Sequence, residues 1–355
     1  MDDKEMLDIY TDYLISSLGL TTQTGLSRLL DGAISHDRVQ RFLATSPKTG
    51  KDLWLVVKPY VRQIQREEGI LIIDDSISEK PHTDENAIVS WHYDHTTGQT
   101  IKGINFVTAL YHANGVSLPV NYHLIEKTET YLDDKTGKSK RRSPISKNEV
   151  YRQLLRQVAA NQIPFRYVVN DVWFASSENM MMVVHELKRH FVMPLKSNRK
   201  VALSSFNKQN GRYVRINELV IEPNTAMIVY LEEVDVPLQL VKQVFTNADN
   251  SIGMVYLITS DLDLTYDAIT LLFQKRWNVE PYHKSLKQNA SLSKSPTKTV
   301  TTQSNHFFAS LCSYIKLEML KVKTNHFALK SQLYLQALRT AFDTLQTLQP
   351  VRFAA

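Results

Sequence analysis

Two apolar runs in this 355-residue chain lead into carboxylates. Ile70–Ile73 runs into Asp74-Asp75-Ser76, and Tyr167–Asn170 runs into Asp171. Each run reads as a strand buried on both faces that ends at its acid. In open α/β sheets, ligand sites form at the C-terminal ends of such strands. Carboxylates fixed there suit Mg2+, which takes oxygen donors. Asp74 and Asp75 both sit at the strand end, so alternation does not choose between them. A third acid, Glu280, lies on a long helix expected from near Thr265. At about 100° per residue, Phe273, Arg276, Glu280 and Lys287 share a sector roughly 80° wide. Arg276 and Glu280 are helical neighbours four residues apart. That face offers two cations and a carboxylate, a set suited to a phosphodiester. Taken alone, the same helix is also the place for an ordinary surface ion pair. Strand-end aspartates are likewise common turn residues.

Pro281 directly follows Glu280. Proline removes a helix hydrogen bond and disfavours helical geometry in the residue before it. A kink at Glu280 is therefore expected, which takes Lys287 out of the common sector.

The elements around these acids set a domain plan. Residues 1–66 read as helical, with Met6, Ile9, Tyr10, Tyr13 and Leu14 at helical spacing. Short helices over Gly25–Leu30 and Ser35–Leu43, joined through Asp31-Gly32-Ala33, form a helix-turn-helix-like pair. Ser35 is the expected cap of the second, which presents His36, Asp37, Arg38, Gln40 and Arg41. Such side chains can grip phosphate or read base edges. Ala87–Asp94, Ile101–Tyr111 and Leu118–Ile125 are expected strands. A basic loop over 135–142 carries Lys138, Lys140, Arg141 and Arg142, which can hold phosphate nonspecifically. Helices are expected over 147–161 and Ser177–Phe191. Strands over 192–195, 213–216, 226–231, 241–245 and 254–258 make residues 192–260 β-rich. A Ser/Thr/Lys-rich loop covers 291–304, and helix returns over 305–348. Trp277 is expected in the core beneath Arg276.

Composition excludes several classes. The chain is 43% hydrophobic and 22% charged, which is ordinary for a globular protein and excludes disorder over most of it. No run of 18 apolar residues occurs, so no membrane span is expected. The acidic start, Met1-Asp2-Asp3-Lys4-Glu5, has no apolar region of a secretory signal, which points to the cytoplasm. The lone cysteine, Cys312, excludes disulfides and cysteine-based zinc sites and is expected to be buried. Net charge is +6. Residues 276–330 hold nine Lys/Arg against two acids, Glu280 and Glu318, a bias that points to a polyanion. His92, Asp94 and His95 form a weak metal candidate, with no third histidine or cysteine placed to complete a zinc site. No Gly-rich phosphate loop is present, so ATP use is not indicated.

Together these blocks resemble a bacterial insertion-sequence transposase of the Asp-Asp-Glu (DDE, RNase H-like) superfamily. The similarity is to the branch with a Tyr-Arg-Glu-Lys signature, whose gaps of two, three and six residues match Phe273, Arg276, Glu280 and Lys287. Phe273 stands in place of the tyrosine, so any phenolic contact to phosphate is lost. Leu71–Ser76, Trp91–His95 leading to Lys102–Asn105, Asn170–Asn179 and Tyr256–Asp261 carry similar texture, and the resemblance spans about residues 35–340. It implies an α/β fold in which an RNase H-like core (67–191 and 261–290) is interrupted by a β-rich insertion (192–260). A helical DNA-binding domain (1–66) precedes that core, and a loop with a helical C-terminal region (291–355) follows it. It implies Asp74, Asp171 and Glu280 as catalytic ligands of two Mg2+ ions, with Mn2+ able to substitute. The family's usual Asp-x-Ser/Thr pattern favours Asp74, with Asp75 as the alternate. DNA contacts are expected from Arg276, Lys284, Lys287, Arg38, Arg41, Lys140, Arg141 and Arg142.

The implied activity is cleavage at element ends followed by strand transfer into target DNA, by cut-and-paste through a hairpin intermediate. The implied partners are double-stranded DNA (terminal inverted repeats and target) and a second copy in a homodimeric synaptic complex, in a bacterial, nucleoid-associated cytoplasmic setting. Some relatives stack a Trp of the insertion on a base near the cut. Residues 192–260 contain none, which leaves Phe206 or Tyr213 as substitutes. Three rivals remain: an RNase H-like nuclease without strand transfer, a DNA-binding protein whose catalysis has decayed, and an unrelated basic structural protein.

Overall fold

The computed structural model describes residues 2–94, 97–134, 136–222, 224–247 and 249–348. His95 of the weak metal candidate lies outside them. Four helices come first: α1 Asp3–Ser16, α2 Gln23–Leu29, α3 His36–Leu43 and α4 Gly50–Ile64. Strands β1 Ile70–Glu79, β2 Val89–Asp94, β3 Gln99–Ala113, β4 Val116–Leu124, β5 Glu129–Leu132 and β6 Ser139–Arg142 follow. Next come α5 Lys147–Ala160, β7 Tyr167–Asn170, α6 Ser177–Met181, β8 His190–Leu195, β9 Lys200–Val201 and α7 Ser205–Gln209. Then come β10 Val214–Arg215, β11 Ala226–Val229, β12 Leu238–Thr246 and β13 Ile252–Thr259. Helices α8 Tyr266–Gln274, α9 Val279–Gln288, α10 Val300–Leu320 and α11 His326–Leu348 close the described chain.

These elements form two compact units. One is drawn from residues 1–47, 284–297 and 301–355, the other from 48–283 and 298–300. In the first, Met6, Tyr10, Leu14, Leu26, Val39 and Leu43 pack with Ala309 of α10. Thr22 and Ser35 cap α2 and α3 by accepting the N–H of Gly25 and Arg38. Between them Asp31 and Gly32 take positive φ (49° and 79°), the turn that glycine makes cheap. Buried Asn305 fastens α10 to the C-terminal end of α3 by donating to the carbonyls of Leu43 and Thr45.

The second unit is built on one nine-stranded mixed sheet. Its order is β11-β12-β13-β8-β7-β1-β3-β2, with β4 also paired to β3. β1 runs antiparallel to β3 and parallel to β7, and β7 runs parallel to β8. Leu71, Ile72, Ile73, Val168 and Val169 are fully buried, as their unbroken apolar runs require. α4 and α5 both lie against β4. Strands β11–β13 extend the same sheet from β8.

Four expectations need correction. β1 does not stop at the acids but runs on to Glu79, because β3 keeps pairing it, from Asp74 opposite Thr108 to Glu79 opposite Gly103. The expected helix Ser177–Phe191 gives way after Met181 to a wider turn, Met182–Glu186, and Lys188 adopts φ 54°. That frees His190–Leu195 to join the sheet. The long helix from Thr265 breaks: α8 ends at Gln274, a tight 3-10 turn covers Lys275–Asn278, and α9 starts at Val279. Pro281 therefore lies in the first turn of α9, where its missing N–H has no helical partner to lose. Lastly, the basic stretch 139–142 is not loop but β6, paired with β5.

Candidate active site

Asp74 and Asp171 meet because β1 and β7 are parallel neighbours. Asn170, the last residue of β7, stands opposite Ile73, so Asp171 leaves the sheet beside Asp74. Burial, first of all, pushes the pKa of Asp74 up to about 7; the charges of Asp75 and then Asp171 add to it, and Arg276 opposes. Asp171 is also raised, mainly by burial. Its carboxylate accepts the Trp173 N–H at 2.7 Å and so caps the turn Val172–Phe174. Behind it, the Asn170 side chain donates to the Asp171 carbonyl at 2.7 Å and accepts the buried Tyr151 hydroxyl at 3.0 Å. Asp171 is thus held at its carboxylate and at its carbonyl.

Asp75 alternates with Asp74 along β1; it accepts Lys147 Nζ at 2.6 Å and Asn105 Nδ2 at 3.1 Å, and its charge still acts on Asp171. Lys147 is a residue that sequence reasoning missed. It stands 72 positions from Asp75, and nothing in its local pattern marks it.

Arg276 joins the third acid to the first two. Its charge acts on both Asp74 and Asp171. Its guanidinium lies 5.6 Å from the centre of the buried Phe273 ring and 3.6 Å from the Glu280 carboxylate. Glu280 is exposed, with 64% of its side chain open to solvent. Among the described residues, no three His, Cys, Asp or Glu side chains stand close enough together to form a metal cluster. A cleft of about 1140 Å³ opens here, lined by Asp171, Gln243, Phe245, Phe273, Arg276 and Trp277 among others. Trp277 is 57% exposed and is not core, because the 3-10 turn rotates it away from the face that α8 buries.

The remaining sequence candidates lie elsewhere. Arg38 and Arg41 are exposed on α3. Lys284 stands 5.2 Å from the Phe327 ring, and Lys287 lies in the last turn of α9. Lys140 pairs with Asp133, Arg142 with Glu129 at 3.0 Å, and Arg141 donates to the Asn86 carbonyl. His92 is buried against Ser90, while Asp94 is bonded by Thr97. Cys312 is buried.

A partly buried pair of acids beside an arginine, one of them lining an open cleft, is chemistry for phosphodiesters, and the comparisons agree. Residues 1–213 match the family model described as DDE superfamily endonuclease. Residues 143–316 match the one described as Transposase DDE domain. No curated protein matches the chain. With more than half of its length matched by the first family and the second overlapping it, the chain belongs to the DDE superfamily of metal-dependent endonucleases and is a DDE-type transposase.

Proposed function

We propose that the protein is an insertion-sequence transposase that cuts element ends and joins them to target DNA, using Asp74, Asp171 and Glu280 as its DDE acids. The observation that carries this is the pairing of Asp74 and Asp171 at adjacent strands with Arg276 set between them and Glu280. The donor chemistry suits divalent ions: Asp74 and Asp171 offer the hard oxygens that Mg2+ or Mn2+ takes, and Glu280 would join them on leaving Arg276. The crowding of Asp74 by Asp75 and Asp171 is the kind of strain that a cation relieves. Bound there, such ions supply charge stabilisation at the phosphorus and an activated water or 3′-hydroxyl.

The protein's own groups do the positioning. Arg276 holds a phosphate oxygen beside the cut and, in doing so, releases Glu280 from its ion pair. Phe273 backs the guanidinium, the part that the aromatic ring of the Tyr-Arg-Glu-Lys signature keeps once its hydroxyl is gone. Lys284 and Lys287 follow on the same helix as phosphate contacts, and Arg38 and Arg41 on α3 grip duplex DNA. Asp74 is favoured over Asp75 because Asp75 is already engaged by Lys147 and Asn105. Residues 1–66 serve as the DNA-binding domain, 192–260 as the insertion, and a homodimer as the synaptic form.

The test is cleavage and strand transfer on duplexes that carry the element's ends. Asp171→Asn and Glu280→Gln should each abolish Mg2+-dependent cleavage while DNA binding in EDTA is retained. Normal cutting by either variant refutes the triad. Precut ends separate the rivals: joining to a new target identifies a transposase, and cutting without joining a nuclease.

A further inference from the structure

A second recess, of about 530 Å³, opens at the C-terminal ends of β7 and β8, within the size range of small-ligand sites. Val172 and Pro194 line both it and the cleft beside Arg276, so the two are neighbours along one surface. Trp173 is on the lining of the recess and is 49% exposed. The ammonium of Lys196 stands 4.7 Å from the Trp173 ring. Lys200, on β9, is on the lining as well. Both lysines are exposed, and neither forms an ion pair among the described residues. The third cation, Arg199, is already used: it donates to Ser177 Oγ at 2.7 Å and lies 3.9 Å from Glu233. Of the two acids on the opposite wall, Glu233 is therefore offset by Arg199, and Glu232 remains.

Two lysines with no ion pair among the described residues, one of them over the indole of Trp173, form a surface for a polyanion with an apolar backbone element. Phosphates take the ammonium groups, and a deoxyribose or base edge lies on the ring. We propose that this recess seats the sugar-phosphate backbone of DNA next to the cut, with Lys196 and Lys200 each on a phosphate and Trp173 against the sugar between them. The placement of this seat next to the cut rests on Asp171 being a catalytic acid. It adds a coupling: the Trp173 N–H is itself bonded to the Asp171 carboxylate. DNA pressed onto Trp173 therefore bears directly on the group that must be held for chemistry.

The experiment uses the full chain in EDTA with a short duplex, so binding is read without catalysis. The slope of log affinity against log salt should fall by about 1.8 in the Lys196→Gln/Lys200→Gln variant, two phosphates at about 0.9 each. Between 50 and 200 mM salt the variant should then lose about tenfold less affinity than the parent. Duplex should quench tryptophan emission in the parent, and Trp173→Phe should remove part of that quench. An unchanged slope, or a quench untouched by Trp173→Phe, overturns the seat. Quenching by inorganic phosphate but not by duplex marks a small-anion site and overturns it too. Asp171→Asn keeps the two ideas apart. If that variant still cuts while the lysine pair loses its slope, the catalytic reading fails and the seat stands; the reverse pattern fails the seat alone.

Discussion

Asp74 and Asp75 are adjacent in sequence, and alternation along β1 gives them different neighbours. Asp74 faces Asp171 and Arg276, while Asp75 is tied to Lys147 and Asn105. Asp74→Asn should abolish cleavage. Asp75→Asn should cost no more than about 1 kcal/mol, the worth of a half-exposed ion pair, and leave cleavage measurable. Urea titration and a cleavage time course check both, and a dead Asp75→Asn with an active Asp74→Asn reverses the assignment. The acids were legible because each follows an apolar run, a local signal. Lys147 and Trp173 were not, since their roles depend on partners brought in by folding: Asp75 from far away in the chain, and Lys196 across the recess. A pH effect also belongs at this scale. Burial drives the pKa of His92 down from 6.5 to about 3. Its neutral ring is favoured in the fold, so its contribution is fully present above pH 6.5 and is lost as pH falls from there towards 3. The slope should approach about 1.4 kcal/mol per pH unit. His92→Gln should flatten the urea midpoint against pH between 6 and 4.5, and an equally steep fall in the variant excludes His92 as the cause.

The sheet's elements were read from their apolar runs and alternation, and β3, β4, β7, β12 and β13 fall within a few residues of expectation. What the runs could not show is where pairing continues: β1 outlasts its apolar segment because β3 supplies partners as far as Glu79. The helix carrying Arg276 and Glu280 shows the opposite error. Helical spacing assumes a constant turn, and the chain tightens to 3-10 geometry over Lys275–Asn278. The break therefore lies ahead of Glu280, over Lys275–Asn278, a span that includes the residue four before Pro281. Arg276 still reaches Glu280, because a 3-10 turn followed by the first turn of α9 brings residues four apart together nearly as well. If Pro281 is only a first-turn residue, Pro281→Ala should change stability by less than about 1 kcal/mol and cleavage by less than about threefold. Were it a kink-former, the alanine would straighten the segment and cleavage would collapse; thermal melts beside rate measurements separate the two.

At the scale of the molecule, charge and topology explain each other within the first unit. The acidic start of the chain and the basic stretch near its end are not two separate surfaces. Lys316 of α10 reaches Asp8 at 2.6 Å and Asp12 at 2.8 Å on α1, and Lys321 pairs with the buried Glu318 at 2.6 Å. Lys294 and Lys330 donate to the carbonyls of Ser17 and Asn289. Part of the basic excess over 276–330 is therefore spent on closing the unit, and fewer than nine of those cations are left for phosphate. Cys312 reports on that closure. It lies on α10, which is buried along nearly its whole length, and burial pushes its thiol up to about 12. The thiolate is the reactive form, so at pH 8 the thiol stays protonated, and it is shielded as well. The native chain should resist an alkylating reagent for hours, while chain unfolded in urea labels within minutes. Following labelling along a urea series reads the opening of the first unit alone, and prompt labelling in native buffer would show that the packing of α1 to α3 on α10 does not hold in solution.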